Sequence, residues 1–111
     1  KNYLVYREEM KMTELKNYLP VGSVVLLKGA TKKTVIMGIM QNIVDENKVT
    51  EYDYIGVMYP EGFLGRDSMI FFNHDAITDV IYKGYENPER VELFEKLEAN
   101  IDKIRAKLDV K

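Results

Sequence analysis

The sequence contains no cysteine, no tryptophan, a single histidine and only three prolines in 111 residues. Without cysteine there can be no disulfide framework, thiolate nucleophile or Cys-based zinc site. One histidine leaves carboxylates as the only other ligands for a metal, so no metal and no cofactor is expected. No apolar run approaches the roughly 20 residues that a membrane-crossing helix needs, so no membrane insertion is expected. Basic excess is missing as well. Sixteen Lys and Arg stand against eighteen Asp and Glu, a net charge of -2. With a pI near 5.5, that balance argues against nucleic acid as a partner, because phosphate contacts call for a basic face. A cysteine-free chain suits a reducing cytoplasm, which is the expected location. The chain opens on Lys1 rather than Met, which leaves a removed leader open.

What is present describes a globular chain. The hydrophobic fraction is 46% and the charged fraction 31%, enough to build one core without staples. A single domain over 1–111 is expected, in three parts: a helical segment 1–20, a β-rich core 21–86 and a helix 87–111. In the first part, Tyr3, Tyr6 and Met10, then Met12, Leu15 and Leu19, follow helical spacing, with Thr13 as an N-cap before Pro20. The second part carries "SVVLL", "TVIMGIM" and "YDYIGVMY", short β-branched or aromatic runs between turn residues. "FF" and "ITDVIYKGY" add two weaker strands, and residues 45–51 read as a polar loop. In the third part, Asn87 caps and Pro88 occupies the first helical position. The fold class is α+β: a small curved antiparallel sheet or SH3-like partial barrel of about five strands. A short N-terminal helix and a long C-terminal amphipathic helix complete it.

Four features could carry chemistry. "LLKGATKKTVIMG", residues 26–38, places a glycine ahead of a Lys-Thr pair. A phosphate loop needs glycine directly before the lysine and a helix after it. Here Lys32 precedes Lys33 and a β-branched run follows, so the stretch is a hairpin. His74 beside Asp75 could form a base with an orienting carboxylate. The plainer reading is a turn into a short helix capped by Asn73 or Asp75. In "YDYIGVMY" the tyrosines could stack on bases, but the neighbouring strand charges are acidic, which favours core and rim roles. No residue emerges as catalytic, and the chain is not expected to be an enzyme.

Two stretches look like contact surfaces. Phe63 and Leu64 follow the Pro60-Glu61-Gly62 turn and either sit exposed at its tip or fold back as a plug. In the last helix, Val91, Leu93 and Phe94 give a wide apolar face suited to docking on the sheet. Beyond it, Leu97, Ile101, Ile104 and Leu108 narrow to a seam like that of a coiled coil. Residues of the N-terminal segment could cover this seam, or a second copy of the chain could, giving a homodimer through the helix, or another helical protein could. The expected partner-binding residues are Leu97, Ile101, Ile104, Leu108, Phe63 and Leu64.

Three stretches together carry a resemblance. "LPVGSVVLLKG", "YDYIGVMYPEG" and "FFNHDAITDVIYKGY", with their "YPEG" and "FFNH" signatures, cover about Leu19 to Leu97. The chain resembles a family of small domain-of-unknown-function proteins encoded in type VII secretion loci of Gram-positive bacteria, beside LXG-type toxins and small helical export factors. The resemblance implies a non-enzymatic accessory role, a cytoplasmic adaptor or chaperone that binds a secreted LXG-type toxin. It supplies no catalytic residues. The alternative is an immunity protein that inhibits a cognate toxin, which a mildly acidic chain suits through charge complementarity with a basic toxin. Tyr82–Glu86 and Tyr85–Glu89 match the Tyr-x-x-x-Glu export tag of that pathway, but at a junction broken by Pro88 they read as chance.

Overall fold

The computed structural model describes residues 17–109, with the side chains of residues 101, 102 and 104–109 outside that description. The expected N-terminal helix capped by Thr13 therefore lies outside the described residues. Five strands follow in order: β1 (Val24–Leu27), β2 (Lys33–Asp45), β3 (Lys48–Tyr59), β4 (Ile70–Phe72) and β5 (Ile77–Tyr82). One helix, α1 (Pro88–Asp109), closes the chain. The strands form one open antiparallel sheet in the order β4-β3-β2-β1-β5, with no ladder between β4 and β5.

The sheet has to curl. Five flat strands about 4.8 Å apart would separate β4 from β5 by roughly 19 Å. Yet only residues 73–76 join them, three of them wound into a 3-10 turn, His74–Ala76, and such a turn rises only about 2.0 Å per residue. The curl is assisted by a bulge at Met37, where the pairing steps from Ile36↔Gly56 to Gly38↔Ile55. Met40 also takes φ +53° within β2, a left-handed value that is rare for a side chain of that size.

The chain between β2 and β3 is not the polar loop expected at 45–51. Both strands run on to Asp45↔Lys48, and only Glu46 and Asn47 turn, at φ +47° and +69°. Two successive positive φ values make a tight hairpin of the kind whose twist suits paired strands. Asn47 accepts that conformation readily, and Glu46 is held in it by the ladder on either side.

Tyr18, Val25, Ile36, Tyr54 and Phe72 form the buried core. Each contributes roughly 1.5–3 kcal/mol for its burial. Tyr54 meets Tyr18 edge-on at 5.5 Å and stacks on Phe72 at 5.3 Å. The first turn of α1 is capped as expected, the Arg90 N–H donating to Asn87 Oδ1 at 3.2 Å. The docking face differs from the expected one. Phe94 and Leu97 pack on the core, while Val91 and Leu93 stay exposed. At 100° per residue, positions 90, 94 and 97 share one stripe, and 91 and 93 fall to either side of it. Arg90 belongs to that stripe, stacking 4.3 Å above the Phe94 ring and donating to the Tyr18 carbonyl at 2.7 Å.

Gly56 marks the tightest backbone approach in the sheet. A Cβ there would stand 2.5 Å from the Val35 carbonyl oxygen and 2.8 Å from Thr34 Cγ2. Gly56→Ala is expected to cost about 2 kcal/mol or more, because backbone must move to admit the methyl group. Urea denaturation checks it: an unchanged midpoint would show that β2 and β3 are not this close.

Candidate functional site

Two places hold the residues singled out from sequence, one polar and internal, one apolar and external. The internal one centres on Tyr54. Its ring is fully buried, and its hydroxyl accepts a bond from the Leu19 N–H at 3.0 Å. The same hydroxyl shares a hydrogen bond with His74 Nδ1, 2.7 Å away. Burial pushes the Tyr54 phenol up to about 12, with the nearby Asp53 charge adding to the rise.

Asp53 ties the surrounding chain together. The β3–β4 ladder stops at Tyr54↔Phe72, and side chains take over where it ends. The Asp53 N–H donates to Asn73 Oδ1 at 3.0 Å, and Asp53 Oδ2 accepts from the His74 N–H at 2.8 Å. Tyr18 donates its hydroxyl to Asp53 Oδ1 at 3.2 Å. His74 is thus joined to Tyr54 and Asp53, and Asn73 sits at the cap position of the 3-10 turn without capping it through its side chain. The bond to Tyr54 occupies Nδ1 with a hydroxyl that stays protonated over the physiological range, an arrangement that locks the crossover from β4 to β5 onto the core. No sequence signal joins residues 20 positions apart in this way. Among the described residues, no three His, Asp or Glu side chains gather as a metal site.

The external place is the loop from Pro60 to Met69. Phe63 and Leu64 are 60% and 68% exposed, standing out at the tip and not folded back as a plug. Tyr59, at the end of β3, is exposed beside them. The loop's backbone is held at several points. The Gly62 N–H donates to the Met58 carbonyl at 2.8 Å, and Gly62 and Gly65 adopt φ +77° and +114°. Ser68 Oγ accepts from the Leu64 N–H at 2.9 Å and donates to the Gly65 carbonyl at 2.7 Å. Lys32 reaches across from the β1–β2 turn to Glu61 Oε2 at 2.6 Å. Its ammonium holds the Glu61 carboxyl below the usual carboxylate range. The pair is exposed, so it orients the loop more than it stabilises the fold.

The stretch 26–38 is a hairpin. Gly29, at φ +79°, turns the chain, and Lys33 opens a strand. Of the six expected contact residues, Phe63 and Leu64 stand together on the loop, while Leu97 lies half-buried against the core. The side chains of Ile101, Ile104 and Leu108 lie outside the described residues. The braces at Ser68 and Lys32 leave little trace in the sequence beyond a Ser four places after Leu64. No helix among the described residues is long and apolar enough to cross a membrane.

Fold and loop together define a small α+β domain that carries large apolar side chains on a braced surface loop. Residues 18–93 match the model of the family described as Domain of unknown function (DUF4176), and the chain belongs to that family. No curated protein and no solved structure matches the chain.

The Tyr54 shift predicts an alkaline loss of stability. The unfolded phenol ionises near pH 10 and the folded one near 12, so between these values only the unfolded state releases its proton. The contribution is whole below about pH 10 and falls by on the order of 2–3 kcal/mol as pH rises through 12. Urea unfolding at successive pH values should show this slope, and Tyr54→Phe should remove it while costing about 1–3 kcal/mol at neutral pH. An identical slope in the variant would assign it to other groups.

Proposed function

We propose that this domain is a non-enzymatic binding protein, an adaptor or chaperone for a secreted LXG-type toxin in a cytoplasmic stage of type VII secretion. The observation that carries the binding role is the pair Phe63 and Leu64, exposed on a loop whose backbone is already fixed. Two adjacent large apolar side chains exposed on one loop form a patch of the kind that a partner covers. A loop fixed in advance also loses less conformational freedom on association. The toxin as partner rests on the resemblance of the "YPEG" and "FFNH" segments to proteins of those loci. It is compatible with membership of a domain family that spans most of the chain. Ile101, Ile104 and Leu108 supply a second contact in this proposal, along the continuation of α1 beyond Leu97, which itself packs on the core.

The test is co-expression of the tagged full chain with an LXG-type toxin, followed by tag purification and a toxicity assay. The wild-type chain should retain the toxin through its N-terminal region and leave its toxicity intact. Phe63→Ser with Leu64→Ser should abolish retention, while stability stays within about 0.5 kcal/mol because both side chains are exposed. Retention unaffected by the pair would remove the loop from the interface. Protection of the cells from the toxin would make the protein an inhibitor.

A further inference from the structure

The other edge of the sheet presents a second apolar surface, independent of the loop. Among the described residues β5 pairs only with β1 and stands at the end of the sheet order. Val80, Ile81 and Tyr82 are exposed on it, flanked by exposed Tyr85 and Val21. Residue 84 folds back onto the start of the core, the Gly84 N–H donating to the buried Ser23 Oγ at 2.9 Å. An open edge strand rich in β-branched and aromatic residues is normally blunted by charge, proline, bulges or a covering element. Here the opposite edge, β4, is blunted by being three residues long. β5 has two bulges, at Thr78 and Ile81, where the register to β1 skips a residue.

The order of residues in β5 identifies what fits this surface. Asp79-Val80-Ile81-Tyr82-Lys83 has an acid at one end, a base at the other and three apolar residues between. Turned about a two-fold axis through Ile81, the segment is complementary to itself. Asp79 faces Lys83, Val80 faces Tyr82 and Ile81 faces Ile81, and both charge pairs form at once. Moving the axis to Asp79 or to Lys83 would set like charges opposite each other. Asp79 is exposed, and Lys83 makes only a loose 3.7 Å pair with Glu86 from a side chain that is 60% exposed.

We infer that β5 is a homodimer interface, a second copy of this chain docking antiparallel across a two-fold at Ile81. The two outer edges meet in this register, and the bulges at Thr78 and Ile81 keep the contact to a short segment. A two-fold contact of this kind uses the same patch on both partners and closes after two copies. The open edge is thereby covered without propagation into a fibre.

Sedimentation of the full chain over a wide concentration range tests this, with circular dichroism confirming that each variant is folded. The wild type should show a reversible monomer–dimer equilibrium. Asp79→Lys alone, or Lys83→Asp alone, should raise the dimer dissociation constant by about tenfold or more, because the two-fold applies each change twice. The double exchange, Asp79→Lys with Lys83→Asp, should restore it to within about threefold of the wild type. A monomer at every concentration overturns the inference. A dimer indifferent to the single reversals also overturns it and moves the contact elsewhere.

Discussion

The Tyr54 hydroxyl is the interaction on which the remaining arrangement depends. It sits in a fully buried ring and joins three separate parts of the chain: the segment before β1 through the Leu19 N–H, β3 through its own backbone, and the β4–β5 crossover through His74. A buried hydroxyl without partners would cost on the order of 1–3 kcal/mol, so its two bonds are a condition of the fold. Around it, Tyr18 and Phe72 pack against the ring, and Asp53 collects the polar groups that the end of the β3–β4 ladder leaves over. Because His74 is held, the short crossover that forces the sheet to curl has a fixed path.

That curl decides which surfaces reach solvent. The core side of the sheet is filled by aromatic and β-branched side chains and closed by one stripe of α1. Among the described residues, Phe63 and Leu64 on the loop after β3 and Val80, Ile81 and Tyr82 on β5 stay exposed. Both exposed surfaces are therefore consequences of a helix that docks by a narrow stripe and of strands that stop early. The Pro60–Met69 loop owes its shape to hydrogen bonds within itself and to Lys32, and so it presents Phe63 and Leu64 in a fixed pose.

Local signals carried much of this fold in the sequence, and contacts between distant residues carried the rest. Asn87 and Pro88 mark the start of α1 because capping is a matter of neighbouring residues. The β-branched runs mark β1, β2 and β3, and the glycine between Leu27 and Lys33 marks their first turn. The turn at Glu46 and Asn47 was hidden because Glu has no preference for positive φ, and only the paired strands impose it. The docking face of α1 is not legible from hydrophobic spacing because Arg90 looks like a surface residue. Its stem and guanidinium instead lie over Phe94 and reach the Tyr18 carbonyl. The link between Tyr54 and His74 leaves no trace in composition or periodicity. The exposed pair at 63 and 64 was visible as a candidate, but whether it plugged the sheet or faced water depended on the braces at Ser68 and Glu61.

The proposed binding role would show itself as protection from solvent. Hydrogen exchange of the full chain, alone and mixed with the proposed LXG-type partner, is the most direct measurement of that proposal. The amides of residues 60–69 should slow strongly on binding, while those beside Tyr54, already shielded in the free protein, should change little. Binding that leaves residues 60–69 unprotected would contradict the account and place the contact on another part of the molecule.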